Sequence, residues 1–234
     1  MGKQFPSLDA SHRDFVRRQR IFFAASAAPG ARVNVSPRGT DAFAVIDQRT
    51  VAYLDRTGSG NETAAHLRAD GRLTIMFCAF DGPPNILRLY GRGEALRRGS
   101  LAYAELLESA FGGVEPAGAR QIVRLHVELV QTSCGYGTPL FDYRGERPSL
   151  DNWSRAKGEE GLEAYRREKN LVSIDGLPTG LIDEVLGSAA PIVVFGWAPA
   201  LGAGKDLTQA ACNPPARAPP RLRGGGGARR LSVS

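Results

Sequence analysis

Polar and apolar residues alternate along residues 32–36 (RVNVS), the spacing of a half-buried strand, and the PRGTD that follows supplies turn chemistry before a second short apolar segment at 42–46. Residues 50–55 are a third strand candidate. The run RLTIMFCAF at 72–80 is apolar on both faces, as a central strand is, and Asp81-Gly82-Pro83-Pro84 turns the chain into a further strand at 86–90, which predicts a long hairpin. Alternation returns at 121–129, with Val123, Leu125, Val127 and Leu129 on one face and Arg124, His126 and Glu128 on the other. Between the third and fourth strands, Ser59 with Glu62 three residues on fits a capping box, so a short helix is expected to start there and end near Gly71. Helical spacing of Leu101, Ala104, Leu107 and Phe111 predicts a packing helix that Gly112-Gly113 stops, and two polar helical stretches follow at 149–157 and 159–170. Strands so spaced, with only short helices between them, predict a closed or partly closed antiparallel barrel rather than a parallel sheet.

Composition sharpens this picture only in places. The 234 residues are 42% hydrophobic, enough for a substantial core in one large domain or two small ones. No stretch approaches the roughly 18 consecutive apolar residues of a membrane helix, and the N-terminus has no apolar export core. Cys78, Cys134 and Cys212 lie far apart and form no CxxC pair, so a reducing, cytoplasmic compartment without a structural metal or disulfide framework is expected. The net charge of +6 sits mostly at the end of the chain, because residues 213–234 hold five arginines and no acid, leaving 25 basic against 24 acidic side chains before them. That Pro/Gly/Arg composition predicts a disordered tail, and neither a nucleic-acid nor a membrane partner is expected for the globular part. The apolar run at 192–195, followed by Gly196-Trp197, is expected to be a last strand or a docking segment.

The sequence lacks a GxSxG elbow, an HExxH pair and a P-loop lysine, and its three histidines are too scattered for a metal site. Gly91-Arg92-Gly93, a glycine pair inside a strand, is read as a bulge or a close backbone approach. The loop Gly58-Ser59-Gly60-Asn61-Glu62-Thr63 feeds a helix N-terminus, where converging amides, the helix dipole and small polar side chains make an anion cradle. The same pattern also suits a helix cap with nothing bound. Arg32 and Arg38, which barrel strands could bring to the same anion, are candidates to reach it, or else are solvated surface charges. Cys78 and Cys134 are expected to be small buried hydrophobes.

The segments RVNVSPRG, VAYLDRTGSGNETAAHL and RLTIMFCAFDGPPNILRLYGRGEAL, in that order, and then QTSCGYGTPLFDY, KGEEGLEAYRREKN and SIDGLP, resemble the pyridoxamine 5'-phosphate oxidase-related family of FMN-binding split barrels. The resemblance covers roughly residues 10–180 and implies a mainly β fold, a six-stranded antiparallel split barrel with peripheral helices. It further implies a homodimer with one FMN in each interfacial cleft. The domain organisation expected on this basis is an N-terminal helical segment at 1–30, the flavin-binding barrel at 31–140, a helical and irregular extension at 141–212 that packs on the barrel or the partner subunit, and the tail at 213–234.

Matching positions imply that Arg32, Val35 and Ser36 run alongside the isoalloxazine, with Arg38 standing where the family commonly has a basic residue near the cofactor. Tyr53, Leu54 and Asp55 would line the next strand, and Ser59, Asn61, Glu62 and Thr63 would surround the ribityl phosphate. Two departures stand out: the family's oxidase carries an Arg-Lys pair in its phosphate loop where this chain has Asn61-Glu62, and it ends in a tryptophan- and arginine-bearing segment that is replaced here by the Pro/Gly/Arg tail. Oxidation of pyridoxamine phosphate itself is therefore not expected. The resemblance implies an FMN-dependent oxidoreductase acting on a small organic substrate, with a nicotinamide or oxygen as redox partner. The alternative is a non-catalytic protein on the same fold that binds flavin, deazaflavin or haem, with His66 and His126 the only histidines of the barrel region for a haem. Arg88, Tyr136 and Trp153 are candidates to orient a substrate, against ordinary packing or exposure.

Overall fold

In the computed structural model, residues 2–182 are described; the segment around 191–200, Cys212 and the 213–234 tail lie outside the described residues. The elements in chain order are β1 (Lys3–Phe5), α1 (Ala10–Arg18), β2 (Ile21–Ser26), β3 (Asn34–Gly39), β4 (Phe43–Val45), β5 (Thr50–Arg56), α2 (Glu62–Ala69), β6 (Arg72–Cys78), β7 (Ile86–Arg97), α3 (Leu101–Phe111), β8 (Ala119–Ser133) and α4 (Ser149–Lys169). The strands make one antiparallel sheet in the order β3-β2-β6-β7-β8-β5-β4, and β1 adds to β8 beyond the end of β5. The hydrogen-bond ladder is open only between β3 and β4, which the 3-10 turn Thr40–Ala42 joins covalently. The sheet is therefore a curled half-barrel with one seam, the partly closed barrel expected from the strand pattern and the split barrel that the family resemblance implies.

The seam is filled from inside. Phe22, Phe43, Tyr53 and Phe77, from β2, β4, β5 and β6, stack with ring centroids 5.0–5.9 Å apart, and Ile75, Leu87, Leu89, Leu125 and Val127 complete the interior. Such tilted and edge-on aromatic pairs add roughly 0.5–1.5 kcal/mol each beyond the area they bury. A second apolar cluster seats α3 through Tyr103 and Leu106 against Leu54, Leu96 and Ile122 on the opposite face of the sheet. Among the described residues no helix is long and apolar enough to cross a membrane.

Several elements differ from the expectation. The segment 1–30, expected to be helical, contributes one helix and two strands of the barrel. Its strand β2 reads IFFAAS, an apolar run without polar alternation, so period 2 is invisible in the sequence although alternate side chains are buried. The sheet holds eight strands rather than six, because the three-residue β1 and β4 are included. The PRG expected to turn the chain lies inside β3, which Pro37 tolerates because β3 is an edge strand and needs no inward ladder donor there. The glycine pair at 91–93 is a bulge as read: the β7/β8 register shifts between Tyr90 and Gly91, and a Cβ on Gly91 would stand 1.9 Å from the His126 carbonyl oxygen. The two polar helices form one element interrupted at Gly158, whose φ of 66° and ψ of 173° break the helical path. Cys78 is buried as expected, but Cys134 is exposed, because it follows the end of β8 where the chain has left the sheet.

Candidate functional site

A cavity of about 950 Å³ opens where β3, the end of β5, the loop at 57–61 and the start of α2 converge, with residues 141–147 forming its outer wall. Strand alternation decides what β3 contributes: Asn34, Ser36 and Arg38 face the cavity, whereas Val33 and Val35 point the other way and Val35 is 58% exposed. Tyr53 and Leu54 of β5 line it, as do Ser59, Asn61, Glu62 and Thr63. Of the residues implied by the resemblance, Arg32, Val35 and Asp55 do not line it. Arg32 is exposed and paired with Asp175, whose carboxylate accepts from both its backbone N–H and its guanidinium. Asp55 lies directly beneath the cavity floor.

Asp55 is 1% exposed and organises that floor. Its Oδ2 accepts from Arg120 Nε at 2.8 Å and Gln121 Nε2 at 2.7 Å, and its Oδ1 forms an ion pair with Arg38 Nη1 at 2.5 Å. Burial pushes the Asp55 carboxyl up, but Arg120, Arg38 and the hydrogen bonds overcome it and hold the group below the usual carboxylate range. Two guanidinium groups, that of Arg120 buried and that of Arg38 part-buried, thus share one carboxylate, so this cluster by itself carries one excess positive charge. Arg38 also lies over the Tyr53 ring at 5.0 Å. Burial pushes the Tyr53 hydroxyl up to about 12, so it stays a neutral donor over the physiological range.

The helix N-terminus corrects one expectation. Ser59 does not cap α2; Asn61 occupies the N-cap position and makes no side-chain cap, because its Oδ1 is engaged by Gln121 Nε2 at 2.8 Å. The first amides of α2 therefore face the cavity without a side-chain acceptor. Asn61 Nδ2, the Tyr53 hydroxyl and Arg38 Nε are buried with no hydrogen-bond partner of good geometry among the described residues. Unsatisfied buried donors of this kind cost about 1–3 kcal/mol each, so their convergence at one cavity suits a ligand rich in acceptors. Asn34 Nδ2 donates to Thr63 Oγ1 at 3.2 Å and to Ser26 Oγ at 3.3 Å, and Ser26 Oγ contacts Nδ1 of the buried His66 at 3.0 Å, which steadies this wall from behind.

The outer wall is pinned by Phe141 N–H donating to the Phe80 carbonyl at 2.8 Å, by the Phe80–Phe141 ring pair, and by Arg20 over the Tyr143 ring at 5.2 Å. Arg88, Tyr136 and Trp153 do not line the cavity: Arg88 donates to Ser133 Oγ, Tyr136 is exposed, and Trp153 packs edge-on against Tyr165. Neither His66 nor His126 lines it. Arg120 was missed from sequence, and so was Asn170, whose Oδ1 accepts from Arg120 Nη1 at 2.9 Å. The available signal was the acid in VAYLDR: an aspartate in an otherwise apolar strand requires a buried cation, and the RQ at the head of the last alternating segment supplies it across the β5/β8 ladder.

The sequence matches the profile described as pyridoxamine 5'-phosphate oxidase over residues 8–134. It is 38% identical over 190 residues to the pyridoxamine 5'-phosphate oxidase family protein ustO of Aspergillus flavus, an alignment covering 74% of this chain and 76% of that protein. Among solved structures, it is similar to HupZ from Group A Streptococcus, with a TM-score of 0.40 and 17% identity over 52% of this chain and 91% of that one. It is also similar to an FAD-binding protein from Mesorhizobium loti, with a TM-score of 0.40 and 17% identity over 56% of this chain and 97% of that one. The profile match, which spans the strands that build the cavity, and the shared identity with ustO mean that the chain belongs to the pyridoxamine 5'-phosphate oxidase family.

Proposed function

We propose that the protein binds FMN in this cavity and acts as an FMN-dependent oxidoreductase on a small organic substrate, with a nicotinamide or oxygen as redox partner. The observation that carries the reading is the excess charge of the Arg38–Asp55–Arg120 cluster beside an uncapped helix N-terminus, a combination that favours a bound anion. The residues fit a phosphate-bearing flavin: the first amides of α2, the Ser59 and Thr63 hydroxyls and Asn61 Nδ2 would hold the phosphate, and Arg38 and Tyr53 supply donors for the polar edge of the ring, beside Ser36, whose hydroxyl donates to Asn34 Oδ1. Bound flavin supplies the hydride-transfer chemistry, so the chain's own task is to bind, orient and exclude water. A second copy of the chain would complete the site at a homodimer interface, in keeping with the family. Oxidation of pyridoxamine phosphate itself is not part of the proposal.

The test is an absorbance and fluorescence titration of the purified protein with FMN, followed by anaerobic addition of NADH or NADPH. Quenched flavin fluorescence with bleaching of the visible band by one donor supports the oxidoreductase. A protein that leaves free FMN fluorescence unchanged at high concentration refutes the flavin assignment.

A further inference from the structure

Within the cradle at 57–62, Thr57 and Asn61 are buried, but the tip between them, Gly58-Ser59-Gly60, is not. A Cβ on Gly58 would meet nothing within 4 Å, and one on Gly60 would touch only the Glu62 side chain, so the side of the tip that a Cβ would occupy is open. Two glycines there give the free loop a large conformational entropy, which ligand binding would have to remove unless something else holds the loop.

The end of α4 and the strap that follows it hold the loop from behind. Asn170 has no exposed surface and uses both ends of its side chain and of its backbone. Its Nδ2 donates to the Gly58 carbonyl at 3.0 Å while its Oδ1 accepts from Arg120 Nη1, and its own carbonyl accepts from Thr179 Oγ1 at 2.7 Å. One turn earlier, Arg166 Nε donates to Thr57 Oγ1 at 2.8 Å and its Nη2 donates to the Ala119 carbonyl at 3.0 Å. On the far side of the cradle, the Ile174 amide donates to both carboxylate oxygens of Glu62, the first residue of α2, at 3.0 and 3.1 Å. Asp175 then pairs with Arg32, just before β3. Gly58 near the start of the cradle and Glu62 at its end are thus gripped by one short stretch of chain, none of which lines the cavity.

We infer that Asn170 is a positioning residue for the anion cradle, and that the strap at 170–175 sets the affinity for a phosphate-bearing ligand by fixing the loop at 57–62 before the ligand arrives. The inference rests on the flavin reading of the cavity. It makes Asn170 matter for the phosphate of the ligand and not for its ring.

The test compares FMN with riboflavin, which carries the same ring without the phosphate, in wild type, Asn170→Ala and Thr179→Val, with thermal unfolding of each as a check on folding. Wild type is expected to bind FMN more tightly than riboflavin. Asn170→Ala is expected to weaken FMN about tenfold and to leave riboflavin within twofold, and Thr179→Val, which removes the hydroxyl that donates to the Asn170 carbonyl and accepts from the Leu181 amide, should shift FMN in the same direction by a smaller factor. A general structural defect would weaken both ligands together. Folded Asn170→Ala with an unchanged FMN-to-riboflavin ratio overturns the role of Asn170 and leaves the flavin reading intact, whereas wild type that binds neither ligand overturns both. Should Asn170→Ala fail to fold, the ratio in Thr179→Val decides.

Discussion

Replacing Asp55 by asparagine removes one charge from the floor of the cavity and almost no volume. In wild type the carboxylate meets Arg120, Gln121 and Arg38 at 2.5–2.8 Å, all in a site that is 1% exposed. An asparagine can keep its oxygen toward Arg120 and Gln121, but its amide then faces Arg38 donor to donor, and two guanidinium groups are left without a counterion. Breaking a buried pair by removing one partner costs about 3–5 kcal/mol, a large part of the roughly 5–15 kcal/mol that holds a typical domain folded. For a domain of this size that corresponds to a fall in Tm of about 6–20 °C. Urea unfolding should show a lower midpoint with an unchanged slope. Because the mutant cavity carries more uncompensated positive charge, added FMN should raise its Tm by more than it raises that of wild type. Acid titration supplies the complementary check. The folded-state value of Asp55 is depressed, so its contribution is present above the unfolded-state value of about 3.9 and is lost as pH falls through the lower folded value. Wild type should therefore lose stability across that acid window more steeply than Asp55→Asn. An Asp55→Asn protein within about 0.5 kcal/mol of wild type, with no added response to FMN, would refute the charge-sharing account of the floor.

Tyr53→Phe deletes a buried hydroxyl without a well-aligned partner, so the ligand-free protein should be unchanged or up to about 1 kcal/mol more stable in urea unfolding, while FMN binding weakens severalfold in a fluorescence titration. Gly91→Ala should cost about 3 kcal/mol or more, because its Cβ would stand 1.9 Å from a backbone oxygen that cannot move without breaking the β7/β8 bulge, and Gly58→Ala, with open space around it, should unfold as wild type does. Glu62→Gln keeps one oxygen to accept from the Ile174 amide but removes a negative charge beside the phosphate cradle, so it should tighten FMN three- to tenfold at low salt, at a stability cost of about 1 kcal/mol from the weakened Ile174 contact and the lost helix-dipole interaction; equal affinity at low and high salt would contradict the electrostatic reason.

The parts of the fold that were legible in the sequence are those where one face meets water. β8 alternates cleanly from Val123 to Val127, but at the bulge around Glu128 the core position passes from the expected Leu129 to Val130, and α3 is bounded by its own glycine stop. β2 was hidden because all but one of its residues are apolar, and β1 and β4 are too short to carry a period. At the site, the local pattern at 58–63 correctly marked a helix start at the cavity, but it assigned the cap to Ser59. The N-cap fell to Asn61, whose oxygen is taken by Gln121, a residue sixty positions away. The same distance hid Arg120 and Asn170: they reach the floor only through the β5/β8 pairing and the docking of α4, and neither contact has a local signature.

The placement of charge explains how a cradle bearing Asn61-Glu62 can still suit an anion. In the family's oxidase the phosphate loop itself carries an Arg-Lys pair. Here the loop's own acid is turned to the Ile174 amide at the rim, and the positive charge comes from beneath, from Arg38 and Arg120 around Asp55. A cation on an exposed loop is screened within about 10 Å at ordinary salt and must be ordered when the ligand binds. A guanidinium fixed in the floor is screened less and is already ordered, so it acts through a shorter list of rearrangements. The arrangement has a structural consequence: the same Asp55 that keeps the two arginines in place without a ligand also offsets the charge that would attract one. Stability of the empty protein and affinity for an anion therefore pull on a single carboxylate in opposite directions.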